Sequence, residues 1–290
     1  MTVTYNPAAQ FEIKVWDLEF RKTIKRQLMA RIYQPQGDKG VGPFPVLLDL
    51  HGGAWNNKDR LANAPMDEAL AKSGVLVVAI DMTQAPDAPY PACVQEASYG
   101  VRWLKSKAIE WNGDSSTLGV LGSSSGGHVA QLLGMRPNDG RYNVHAVAGA
   151  PGINTRVAYV AARSPISDPF ARFKQAEKMQ RDHMIKNSTT FFNPWEAIHE
   201  GNPQEMLDRN EKVELPPMLI MQGGLDDNVI PVIQERFSES YRNAGGHCQY
   251  ELYEGCSHEW VAEPSPATTR AQDMVKGFIA EQLQAGRKAL

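Results

Sequence analysis

Short apolar runs that stop at glycine or a polar residue recur along the chain. They are PVLLDL (45–50), GVLVVAI (74–80), TLGVLG (117–122), VHAVAGA (144–150) and PMLIMQG (217–223). Runs of this length, apolar at successive positions, are what strands buried on both faces look like. Two longer stretches near the start, FEIKVWDLEF and RQLMARIYQP, read as a strand pair joined by a short basic turn, and 249–253 as a last strand. Helical patterns lie between the strands. Val94, Ala97, Val101, Leu104, Ala108 and Trp111 form one stripe at spacings of 3 and 4; Met274, Val275, Phe278, Ile279 and Leu283 form another after Pro264 and Pro266. This alternation predicts an α/β fold: a mostly parallel sheet flanked by helices, with its chemistry at the carboxyl ends of the strands.

One interval breaks the rhythm. Between Pro151 and Leu215 no strand is evident, and the segment is rich in Arg, Lys, Met and Phe. A connection that long is usually functional. It is expected to be a cap inserted at 151–215 over a core formed by residues 1–150 and 216–290.

Three serines stand together in GVLGSSSGGH (119–128), between an apolar strand and the helical pattern GHVAQLLGM. Strand, sharp turn and helix are the context of a nucleophile elbow. Only Ser124 has glycines at both required offsets, Gly122 and Gly126. They are required because the turn is strained and strand and helix approach closely. About a tenth of a match to such a motif arises by chance in a chain like this, so its neighbours carry the weight. A serine hydroxyl needs a base, an acid to orient that base, and donors for an oxyanion. Gly53 and Ala54, in the small-residue turn of HGGAW (51–55), together with Ser125, are the candidate oxyanion donors. MQGGLDDNVIP (221–231) ends a strand with Asp226 and Asp227. One of them is the candidate acid, and the other a candidate cap for a helix starting near Pro231. Of seven histidines, His258 alone follows a strand after the acid. His128, at the start of the elbow helix, suits packing or hydrogen bonding better.

HGGAW, GSSSGG and the GLDD…GCSH pair, in that order, together with APDAPYPACVQEA (85–97), resemble the α/β-hydrolase superfamily. The likeness is to its hormone-sensitive-lipase-like and feruloyl-esterase-like esterase branch, over roughly residues 30 to 285. Ala54 replaces the third glycine of the usual HGGG, and Ser123 stands where Asp is usual. HGGAWNN is similar instead to the HGG-x-W turn of kynurenine formamidases. The resemblance implies an α/β-hydrolase fold with a helical cap and a triad of Ser124, Asp227 and His258. It also implies hydrolysis of small to medium acyl or aryl carboxylic esters without metal or organic cofactor. Alternatives are an arylformamidase, a non-catalytic ligand-binding homologue, or a lyase using the same constellation.

Trp55 and Trp260 adjoin the oxyanion turn and the base, so they line the substrate pocket or belong to the core. Phe191, Phe192 and Trp195 read as the cap's own core or as a pocket roof. Arg156, Arg163, Arg172 and Arg181 read as solvated cap surface, attraction of an anionic substrate being the other use.

Composition narrows the classes. A net charge of −3 with no run of five like charges gives no footing for nucleic acid or a membrane surface. The expected partner is a small-molecule ester, and a homodimer is compatible with the sequence. Three cysteines without CxxC spacing, and no basic-then-apolar start, fit a cytoplasmic setting.

Overall fold

The computed structural model describes residues 5–23, 25–37 and 42–288; residues 1–4, 24, 38–41 and 289–290 of the expected core, Ile24 of the basic turn among them, lie outside these. The strands are β1 (Glu12–Lys22), β2 (Gln27–Gln36), β3 (Phe44–Leu50), β4 (Leu76–Ile80), β5 (Gly113–Ser123), β6 (Val160–Arg163), β7 (Met218–Gly223) and β8 (Cys248–Tyr253). They form one sheet in the order β1-β2-β4-β3-β5-β6-β7-β8. The β1–β2 and β2–β4 pairs are antiparallel, and β4 through β8 run parallel.

The helices are α1 (Ala64–Lys72), α2 (Ala92–Lys107), α3 (Ser125–Met135), α4 (Pro169–Lys178), α5 (Asp182–Phe191), α6 (Ala197–Glu200), α7 (Pro203–Asp208), α8 (Pro231–Asn243) and α9 (Pro266–Lys288). The fully buried β3 shows why the apolar runs lack an alternating pattern. Val46, Leu48 and Leu50 pack on one face with Val94 and Val101 of α2, Val129 of α3 and Phe237 of α8. Leu47 packs on the other face with Leu70 of α1 and Val275 and Phe278 of α9. Each such side chain contributes about 1.5–3 kcal/mol relative to exposure, so both faces favour apolar residues.

Two expectations fail here. Residues 144–150 form no strand: four of the seven are alanine or glycine, and Val144 is exposed. The next strand is instead β6, Val-Ala-Ala-Arg, inside the interval expected to be strand-free. Four residues ending in a buried arginine carry too little apolar signal to be read as a strand. The helical excursion between β6 and β7 therefore starts after Arg163 rather than at 151, and holds α4 to α7.

That excursion is tied to the sheet edge by aromatic stacking. Phe191 stacks flat on Trp55 with ring centroids 4.5 Å apart, and its carbonyl accepts the Tyr90 N–H at 2.8 Å. The Asn56 amide donates to Asn187 Oδ1 at 2.6 Å.

Candidate active site

β5 ends at Ser123 and α3 begins at Ser125, so Ser124 alone makes the turn. Its φ of 53° and ψ of −116° are strained for a residue with a side chain. The flanking glycines allow the close approach. A Cβ on Gly126 would lie 2.1 Å from the Leu50 carbonyl oxygen, and one on Gly122 would lie 2.5 Å from the Gly126 oxygen. Among the three serines the backbone therefore singles out Ser124.

Ser124 Oγ lies 2.9 Å from His258 Nε2. His258 Nδ1 lies 2.8 Å from Asp226 Oδ2. The partner of the histidine is thus Asp226, which corrects the expectation of Asp227. Asp226 is only 3% exposed. Its Oδ1 accepts the N–H groups of Asn228 (3.0 Å) and Val229 (2.8 Å), and Gln222 Nε2 donates to Oδ2 at 3.2 Å. Burial pushes this carboxyl up, but the hydrogen bond and charge of His258 and the Val229 N–H outweigh it and hold the group below its ordinary range. Asp227 points outward and pairs with Arg181 at 2.6 Å, its side chain 60% exposed. Nor does it cap α8, whose N-cap residue is Ile230, with no side-chain hydrogen bond closing the helix end.

The turn after β3 is unusual. Gly53, Ala54 and Trp55 all have positive φ, at 104°, 51° and 62°. The Trp55 N–H donates to Ser125 Oγ at 3.2 Å. Among the described residues nothing accepts the Gly53 or Ala54 N–H. His51 is buried with Nδ1 2.8 Å from the Gly52 carbonyl, and burial lowers its pKa.

Both tryptophans are interior residues. Trp55 is 5% and Trp260 9% exposed. Trp55 lies between Phe191 and His128, its indole N–H donating to His128 Nδ1 at 3.2 Å. His128 Nε2 faces the Gly201 carbonyl at 2.7 Å, so the neutral ring accepts on one side and donates on the other. Burial pulls its pKa down to about 4. His128 therefore has the hydrogen-bonding role its position suggested. Trp260 stacks on Tyr253 at 4.3 Å, on the face that holds α1 and α9.

Other polar groups beneath the site escaped sequence reading. Asn63 accepts from Ser123 Oγ at 2.9 Å and donates to both oxygens of Asp49. Burial raises Asp49 to about 7 and the neighbouring Asp67 well above the ordinary value. The Arg163 guanidinium donates to the His258 carbonyl. Asn63, Asp49, Asp67 and Arg163 sit in no local motif. Of the four arginines expected on a cap surface, Arg163 and Arg172 are buried, while Arg156 is exposed and Arg181 partly exposed, paired with Glu214 and Asp227. Among the described residues no group of three or more His, Cys, Asp or Glu is placed to hold a metal, and no helix is long and apolar enough to cross a membrane.

Strand order and elbow define an α/β-hydrolase fold. Esterase B from Lactobacillus rhamnosis (HN001) has the same fold, with a TM-score of 0.80 at 18% identity over 97% of this chain and 88% of that one. So does propionate-bound esterase Est2 from Thermogutta terrifontis, with 0.72 at 21% over 94% of each. The chain belongs to the BD-FAE family, whose model matches residues 31–240. The probable carboxylic ester hydrolase LipM of Mycobacterium tuberculosis (strain ATCC 25618 / H37Rv) is 26% identical over 201 residues, 68% of this chain and 44% of that protein. The chain spans about half the length of the curated relatives LipM and LipC, at 44% and 48%.

Proposed function

We propose that the protein is a serine carboxylic ester hydrolase acting through Ser124, His258 and Asp226. The observation that carries this is the continuous relay from serine to histidine to buried carboxylate, 2.9 and 2.8 Å long. LipM and Esterase B, by their names, are ester hydrolases.

In this reading His258 Nε2 takes the proton as Ser124 Oγ attacks the ester carbonyl, then returns it to the leaving alcohol. Asp226, held ionised, fixes the Nδ1–H tautomer and stabilises the imidazolium. The Gly53, Ala54 and Ser125 N–H groups receive the oxyanion, each worth about 3 kcal/mol of transition-state stabilisation. Water then attacks the acyl-enzyme with His258 as base. Three unpaired cysteines, two of them buried, support a reducing cytoplasmic setting.

The test is a p-nitrophenyl ester series from acetate to decanoate, with N-formylkynurenine alongside, on wild type and Ser124→Ala. Ester turnover that falls at least about 10⁴-fold in the variant is expected. Formamide turnover outrunning every ester, or a variant within tenfold of wild type, would overturn the reading.

A further inference from the structure

Arg172, on α4, is a deeply buried cation, at 2% exposure. Its guanidinium lies 6.0 Å from the Trp55 ring centroid. Nε and Nη2 both donate to Asn228 Oδ1, at 3.0 and 2.6 Å. Nη1 is buried and has no hydrogen-bond partner. Among the described residues no carboxylate lies within ion-pair distance of this group. The nearest acid to influence it is Asp226, whose oxygens are already engaged by His258, Gln222, Asn228 and Val229.

A buried guanidinium bound only by a neutral amide is costly to keep. Such a charge is retained where something else completes it. Its place names the candidate. Asn228 follows Asp226 by two residues, and Trp55 belongs to the turn whose N–H holds Ser125. The guanidinium is therefore bonded to the loop carrying the acid and lies 6.0 Å from the ring of Trp55, in the turn carrying the oxyanion donors. With Nε and Nη2 occupied, one donor edge remains. That edge suits a single planar anion; a phosphate would bring a second negative charge beside Asp226.

We propose that Arg172 is a specificity residue, and that the substrate is an ester bearing a free carboxylate close to the scissile bond, captured by Arg172 Nη1. This rests on the ester-hydrolase reading above. Two matched pairs test it by pH-stat: monomethyl glutarate against methyl valerate, with the charge on the acyl side, and butyryl glycolate against ethyl butyrate, with the charge on the alcohol side. Wild type should favour the charged member of at least one pair by tenfold or more in kcat/KM. Arg172→Met should cut that charged-to-neutral ratio at least tenfold. Arg172→Lys, which keeps the charge but loses the fork, should keep part of it.

A ratio unchanged in Arg172→Met, or neutral esters preferred in both pairs, overturns the proposal and leaves the esterase reading standing. Glutarate binding to Ser124→Ala, measured calorimetrically, separates the two failures. Binding abolished by adding Arg172→Met supports the anion site even if wild type hydrolyses neither these four esters nor any p-nitrophenyl ester, a result that would overturn the esterase reading alone. No binding together with no hydrolysis overturns both.

Discussion

The pair His258 and Asp226 at the carboxyl edge of the sheet and Arg172 in the helical segment have their polar atoms satisfied to different degrees. At the edge, His258 has a partner on each ring nitrogen, and both oxygens of Asp226 are occupied. In the helical segment, Arg172 is as deeply buried but leaves one nitrogen without a partner. Saturation fixes geometry: a carboxylate held by backbone N–H groups cannot swing away from the histidine it orients. An unsatisfied buried donor fixes little by itself and is completed by what arrives. The edge thus suits chemistry that is the same for every substrate, and the helical segment suits choice among substrates.

The largest expected break in this comparison comes from Asp226→Asn. The Asn228 and Val229 N–H groups need an oxygen, so the new amide must turn its NH₂ toward His258 Nδ1. That forces the wrong tautomer and removes the charge that stabilises the imidazolium. A fall in kcat of about 10⁴-fold is expected, by the size of the same change in a Ser-His-Asp protease. Steady-state kinetics on a short p-nitrophenyl ester checks it; a loss under tenfold would mean that Asp226 does not orient His258.

How much of this was legible follows the same division. The strand ends could be read because turn chemistry is local: the elbow admits only glycine two residues either side of Ser124, and the turn after β3 favours small residues. The acid was misplaced by one residue for a related reason. Asp226 and Asp227 are adjacent on one loop, and sequence resemblance assigns the role without seeing which side chain turns inward. What decides it is a backbone detail, the N–H groups of Asn228 and Val229 closing on Oδ1. β6 was missed because it is four residues long. Arg163 and Arg172 read as surface in the sequence because arginine is rarely buried, and their burial depends on contacts more than fifty residues away, with His258 and Asn228.

A smaller effect joins the two regions. His128 lies where they meet, between Trp55 and Gly201, as a neutral ring. Its folded pKa of about 4 lies below the ordinary 6.5, because burial disfavours the cation. Below about 6.5 the unfolded chain therefore binds a proton that the folded chain refuses. The stability due to the neutral ring is full above that pH and is lost progressively as pH falls toward about 4, by up to about 3 kcal/mol. His128→Gln keeps one acceptor and one donor but does not titrate. Urea unfolding at pH 7 and pH 5 should show a steeper loss in wild type than in the variant. Equal slopes would mean that His128 takes its proton without disturbing the contact between the regions.

The smallest expected effect is the sharpest test of which aspartate matters. Asp227→Asn removes an ion pair with Arg181 that stands mostly in water, its carboxylate 60% and its guanidinium 37% exposed. Pairs of this kind contribute about 0–1 kcal/mol, weakened further by salt. Asparagine keeps the shape of the loop, and the hydrogen bonds that order it belong to Asp226. Activity within about threefold of wild type and a stability change under about 1 kcal/mol are expected, both fading as salt is added. Set beside Asp226→Asn, the same chemical change one residue along should separate by roughly three orders of magnitude in kcat. Equal losses at the two positions would mean that the loop moves as a unit, with Arg181 clamping it from the helical segment, and that neither region works independently of the other.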